Sequence, residues 1–137
     1  MLSVSTFLLP WDGYISLELP KGAKILSVYE QNGKLKLSAL VTPGRPTKTR
    51  NLFLVEVTYE KYFSVELPKG AKILKAFGTC GGIFLLAFIR PFSGIEKRNF
   101  CFVEDGRTID RHMESLKFLS DFYSDDNPSI SHLFEIK

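Results

Sequence analysis

Apolar and polar residues alternate along this chain in two matching stretches. Tyr14-Ile-Ser-Leu-Glu-Leu19 puts Ile15, Leu17 and Leu19 on one side and Ser16 and Glu18 on the other, and Tyr62-Phe-Ser-Val-Glu-Leu67 does the same. A period of two predicts half-buried β-strands. Leu-Pro-Lys-Gly follows both stretches. Proline presets φ at about −65° in the second turn position and glycine suits the fourth, so the pattern predicts a type I turn closing a hairpin or corner. A strand over 23–29 comes next, then Gln31-Asn32-Gly33-Lys34. Asn-Gly predicts a type I′ hairpin turn, because both central residues must take positive φ. Strands over 35–41 and 51–57 complete the unit, separated by a Pro/Gly-rich loop at 42–47.

The same order returns 48 residues later. Residues 14–56 align with 62–104 without a gap, with nineteen of the 43 pairs identical, and the run Glu-Leu-Pro-Lys-Gly-Ala-Lys-Ile-Leu stands at both 18–26 and 66–74. Two copies are too few for a solenoid. They predict two similar β-units that share one core or pack side by side, related by a pseudo-twofold axis. The fold class expected is all-β, mainly antiparallel, in a sandwich or barrel-like arrangement of eight to ten strands. One domain over 1–137 is expected, with repeat 1 at about 11–58, repeat 2 at about 59–106 and a C-terminal extension over 107–137. In that extension Ile109, Met113, Leu116, Leu119 and Phe122 stand at helical spacing, so 110–121 reads as a short amphipathic helix or, equally, as a strand from Leu116. Residues 124–129 read as a loop and 130–136 as a closing strand.

Length and composition support a packed core. The chain has 137 residues, 45% hydrophobic and 13% aromatic, with twelve Phe. Its apolar run at 83–89 is far too short to span a bilayer, and the N-terminus has no basic segment before its apolar run. A soluble protein with no membrane partner is expected, with Cys80 and Cys101 as reduced thiols.

The phrase "ELPKGAKILSVYEQNGKLKLSALV" resembles a family of small phage and prophage β-proteins whose core reads Glu-Leu-Pro-x-Gly-Ala-x-Ile-Leu-Ser-Val, then Gln-Asn-Gly, then an apolar strand. The match covers Phe7 to about Val57 and begins again at Tyr62, so the chain is similar to a member whose central unit is duplicated. Ser38 and Leu86 stand where the family tends to have Trp, and its Gly-Thr-Gly-His-like turn survives only faintly at Asp105-Gly-Arg-Thr108. The resemblance implies a β-fold and a phage or prophage origin, hence the cytoplasm of a bacterial host. It carries no activity over.

Candidate chemistry is sparse. Cys80 and Cys101 are the nucleophile candidates and His112 and His132 the bases, but neither cysteine has a basic neighbour or helix N-terminus to lower its pKa. The four positions lack the short-spaced pairs of zinc sites. Gly78-Thr-Cys-Gly-Gly82 lacks the Lys-Ser/Thr and the helix of a phosphate-binding loop, and Asp125-Asp126 beside a proline reads as a solvated turn. No enzyme and no cofactor is predicted.

Two binding readings remain. Glu18, Lys21 and Lys24 recur as Glu66, Lys69 and Lys72, although core packing does not require exposed charges to repeat. They read either as cross-strand Glu–Lys pairs or as two like surfaces for a partner, with charge giving steering and register. Absent chemistry, small size and the phage resemblance favour stoichiometric contact with a host protein, for instance as an inhibitor of a defence complex, by a monomer or homodimer. The alternatives are a phage structural protein or a nucleic-acid-binding β-domain. Residues 1–75 hold eleven Lys/Arg against six Asp/Glu, and Lys34, Lys36, Arg45, Lys48 and Arg50 would form its phosphate-binding face.

Overall fold

The computed structural model describes residues 1–79, 81–91, 93–109, 113–124 and 127–137. The described residues form eleven strands: β1 Ser3–Leu9, β2 Tyr14–Pro20, β3 Lys24–Gln31, β4 Lys34–Val41, β5 Thr47–Val57, β6 Tyr62–Pro68, β7 Lys72–Thr79, β8 Gly82–Phe88, β9 Ile95–Glu104, β10 Leu116–Ser124 and β11 Asn127–Ile136. They form three antiparallel sheets, and none closes into a barrel. The first has the order β1-β4-β3, the middle one β2-β5-β8-β7 and the last β6-β9-β11-β10. The arrangement is all-β and sandwich-like.

The duplication reaches down to hydrogen-bond register. Tyr14 lies opposite Phe53 and Tyr62 opposite Cys101, each partner moved by 48. Both β3–β4 and β7–β8 carry the same bulge, between Ile25 and Ser27 and between Ile73 and Lys75. The repeat also extends further toward the N-terminus than residue identity reveals. Phe7 opposes Leu37 as Val55 opposes Leu85, again with both moved by 48. Thus β1 is the counterpart of the second half of β5.

The duplicated nine-residue phrase is where the chain changes sheet. β2 belongs to the middle sheet and β3 to the first, while β6 belongs to the last and β7 to the middle. At each crossing a backbone bond closes the turn, Ala23 N to Pro20 O and Ala71 N to Pro68 O, both at 3.1 Å. Gly22 and Gly70 have φ of 82° and 74°. Glycine is therefore at the third turn position, as in a type II turn, and not at the fourth as the type I expectation had it. Lys21 N and Lys69 N brace the two corners by bonding Pro46 O and Gly94 O. The Asn-Gly expectation matches the structure: Asn32 and Gly33 have φ of 53° and 77°.

Each of the two gaps between sheets is filled by its own core. Leu9, Ile15, Leu19, Leu35, Leu37, Leu52 and Leu86 pack between the first and middle sheets. Val65, Leu67, Ile73, Leu85, Ala87, Phe100, Phe102 and Leu133 pack between the middle and last. The inner strands β5 and β8 of the middle sheet are thus packed on both faces, with Leu85 and Leu86, neighbours in β8, in opposite cores. This explains why β8 reads as an unbroken apolar run.

The C-terminal segment differs from its helical reading. A single 3-10 turn, Met113–Ser115, precedes strand β10. Register shifts between Phe118 and Ser120 and between Phe122 and Ser124 break the strand's alternation. Leu119 and Phe122 then fall on the core side three residues apart, which mimics a helix in sequence. Residues 110–112 of the expected helix lie outside the described residues. The expected loop over 124–129 is also corrected: Ser124 ends β10 and Asn127 begins β11, with Asp125 and Asp126 outside the described residues.

Candidate anion-binding groove

The crossing turns bring β3 and β7, counterparts in the two copies, alongside one another at one end of the first core. The residues there line a groove of about 960 Å³: Ala23, Lys24, Ile25, Lys48, Arg50, Gly70, Lys72, Leu74, Lys75, Phe88, Ile89 and Arg90. Six of these twelve are cationic and none is acidic. None of the six forms an ion pair with a carboxylate among the described residues. The Arg50 guanidinium lies over the Phe88 ring at 3.8 Å, a cation–π contact that fixes its plane at the groove wall. Lys24, Lys48 and Lys72 are exposed.

The duplication supplies an internal comparison. Moving 48 residues along carries Arg50 to Arg98 and Lys48 to Glu96. Arg98 occupies the corresponding place between the middle and last sheets, where it is plugged. Its Nε and Nη2 donate to Glu135 at 2.6 and 2.7 Å, and Nη1 donates to Ala71 O at 2.5 Å. The bond to Glu135 raises the Arg98 pKa still further, against a smaller desolvation effect. One gap holds a neutralised cation and the other an uncompensated cluster. Removing the plug exposes its cost: Glu135→Ala leaves the largely buried Arg98 unpaired and is expected to destabilise the protein by about 2–3 kcal/mol. This is somewhat under the value of about 3–5 kcal/mol for a fully buried pair. Replacing both residues by Met and Leu should recover most of the loss, as read by urea unfolding.

Of the residues singled out in sequence, the groove gathers Lys24 and Lys72 from the repeated charges and Lys48 and Arg50 from the basic loop. Lys75 and Arg90 join them unanticipated. The other repeated charges lie elsewhere. Lys21 and Lys69 are at the exposed corner turns. Glu18 accepts hydrogen bonds from the Thr47 and Thr49 hydroxyls at 3.0 and 2.9 Å, while its counterpart Glu66 lies opposite Lys97. Arg45 is outside the groove, near Gly22. Lys34 sits at the hairpin turn, and Lys36 donates to Gln31 at 2.9 Å.

Two other hollows are less charged. One of about 500 Å³ is mostly apolar, with Tyr14, Pro68, Ile89, Pro91 and Ile95 among its walls. Another of about 400 Å³ holds Tyr59, Phe102, Arg107 and Thr108, and the Tyr59 hydroxyl bonds Ser131 at its edge.

Of the nucleophile and base candidates, Cys101 is fully buried, and Cys80 and His112 lie outside the described residues. His132 is occupied by two carboxylates, with Nδ1 at 2.5 Å from Asp121 and Nε2 at 3.2 Å from Asp105. It thereby ties the turn after β9 to β10. The hydrogen bonds to Asp121 and then Asp105 raise its pKa above the usual 6.5. Because the folded pKa is the higher one, the resulting stabilisation is complete below pH 6.5 and disappears as pH rises through the folded value. A melting-temperature series from pH 6 to 9 should show this decline, and Asp121→Asn should flatten it. Among the described residues no three His, Cys, Asp or Glu side chains gather as metal ligands, and no helix is long and apolar enough to cross a membrane.

No family model, curated protein or solved structure matches this chain. Its own geometry therefore carries the functional reading.

Proposed function

We propose that this protein is a non-enzymatic binding protein that holds a single-stranded nucleic acid by its phosphate backbone in the groove between the first and middle sheets. The single observation that carries this reading is the set of six groove cations without a carboxylate partner among the described residues. The equivalent position in the second gap supports it, since there the same arginine is neutralised by Glu135.

The cations come from four chain segments: the start of β3, the start of β5, the start of β7 and the residues after β8. Charges spread in this way suit a polyanion with many separated charges better than one small anion. A groove that follows a backbone with Lys and Arg is the common element of single-strand binders. Phosphate contacts position a strand without reading its bases, so binding should be largely independent of sequence.

The test is fluorescence anisotropy with a labelled oligothymidylate at low salt. Saturable binding, with an affinity reaching about the micromolar level at physiological salt, is the expected result. Polyglutamate is the decisive competitor, because an acidic protein segment is the other polyanion the charges would attract. Displacement of the strand by polyglutamate at equal charge would turn the reading toward the host-protein contact expected from the phage resemblance. No binding at low salt would end it.

A further inference from the structure

We infer that the apolar hollow beside the groove is a base-stacking subsite, which takes one unpaired nucleobase of the strand whose phosphates the groove holds. The inference rests on the single-strand reading and adds to it a contact that charge does not make.

The two cavities share a rim. Ile89 and Arg90 line both the groove and the hollow of about 500 Å³. β5 runs between them, and successive strand residues face opposite sides, so Arg50 lines the groove and Asn51 the hollow. Ile89 N bonds Asn51 O at 3.0 Å and fixes the rim to that strand. The exposed Arg90 is thus the last cation of the groove and the first polar group of the hollow. A strand that follows the cations to Arg90 arrives with a base at the mouth of the hollow.

The walls suit a flat aromatic ring. Tyr14 is 66% exposed, and a T-shaped contact with Phe53 at 5.0 Å sets the orientation of its ring. Ile95 is 61% exposed, and Pro68 and Pro91 add rigid apolar surface. No lining side chain is acidic, so nothing there repels a nucleotide. The Ser16 hydroxyl donates to Asn51 Oδ1 at 3.2 Å, while Asn51 Nδ2 donates no hydrogen bond among the described residues. That amide hydrogen is available to a carbonyl or ring nitrogen on a base edge. Stacking accepts every base, so the subsite keeps binding tolerant of sequence.

The repeat shows that this junction was not copied with the fold. Moved back by 48, Arg90 becomes Thr42 and Ile95 becomes Thr47. Thr47 and Ile95 lie opposite Pro20 and Pro68, the same place in the register. There Thr47 is satisfied by donating its hydroxyl to Glu18 at 3.0 Å. A threonine therefore serves this strand start, and the exposed isoleucine is not required by the sheet. The second copy carries both a cation and an apolar side chain where the two cavities meet, which is what a ligand with a phosphate and a ring needs.

Fluorescence anisotropy at low salt tests this with a labelled oligothymidylate and a strand of equal length built of abasic units, which has the same phosphates. The parent should bind the base-bearing strand about 10-fold more tightly, the scale of one stacked base. Tyr14→Ala should bring that ratio close to one, with the abasic affinity and the salt slope unchanged. Ile95→Ser should lower the ratio in the same way and serves if Tyr14→Ala fails to fold. Phe118→Ala, which removes an exposed ring from β10, should keep it. Equal affinities for the two strands, a ratio that survives both hollow substitutions, or an equal loss in Phe118→Ala would each overturn the subsite and leave the groove reading standing. Binding of neither strand would overturn the groove reading and the subsite with it.

Discussion

Reversing Lys24, Lys48 and Lys72 to Glu together should lower single-strand affinity at least about 100-fold at low salt while the protein remains folded. With each phosphate contact contributing about 0.7 to the logarithmic salt slope, losing three contacts and adding three repulsions removes most of a backbone-driven interaction. All three side chains are exposed, one from each of β3, β5 and β7, so their effect on stability should stay within about 0.5 kcal/mol apiece. Anisotropy reads the affinity, and thermal melting confirms the fold. Arg45→Glu is the matched control. It reverses a charge of the same basic half from outside the groove, and it should weaken binding far less. Equal losses from the triple variant and from Arg45→Glu would mean that general charge, not the groove, governs binding.

The second large effect lies in the middle sheet. Leu85→Ala and Leu86→Ala should each cost about 3 kcal/mol, within the range of about 2–5 kcal/mol for cavities left by buried leucines. Both side chains are fully buried, and they belong to different cores. In a strand with one solvated face, one of two neighbouring residues would tolerate the change. Because the two cavities open on opposite sides of the sheet, the double variant should lose nearly the sum. Urea unfolding measures all three. A cost below about 1 kcal/mol for either leucine would contradict a middle sheet covered on both faces.

Much of this architecture could be read in the residues, for identifiable physical reasons. Alternation in 14–19 and 62–67 marks β2 and β6 because each has one face against a core. The Asn32-Gly33 turn was legible because positive φ at two successive positions admits few residue types. What escaped was governed by distant partners. β1 is Ser-Val-Ser-Thr-Phe-Leu-Leu, and it is a strand because β4, with partners from Val41 opposite Ser3 to Leu35 opposite Leu9, supplies its hydrogen bonds from far along the chain. The pair β10–β11 fills in the last sheet the place that β7–β8 fills in the middle one. Its irregular register hides this, since bulges disrupt the alternation on which a strand reading depends.

The groove was half legible. Lys48 and Arg50 stood out as a basic stretch, and Lys24 and Lys72 as charges repeated without a packing reason. The sequence separates Lys24 from Lys72 by 48 residues, which suggests two surfaces. The sheet crossings at Pro20–Ala23 and Pro68–Ala71 set β3 beside β7 instead, so the two lysines line one groove. Likewise, the local difference between Arg50 and Arg98 is small, Lys48 against Glu96 two residues before. The partner that neutralises Arg98 is the distant Glu135, which reaches it because β11 pairs with β9.

A salt titration of the parent protein with a labelled oligothymidylate tests the central claim most directly. If about four groove cations each displace a counterion, log affinity should fall against log salt with a slope of about −2.8, roughly a 50-fold loss between about 50 and 200 mM. The Lys24, Lys48 and Lys72 reversal should bring that slope close to zero. A parent slope near zero, or the same steep slope in the reversed variant, would contradict phosphate binding in this groove.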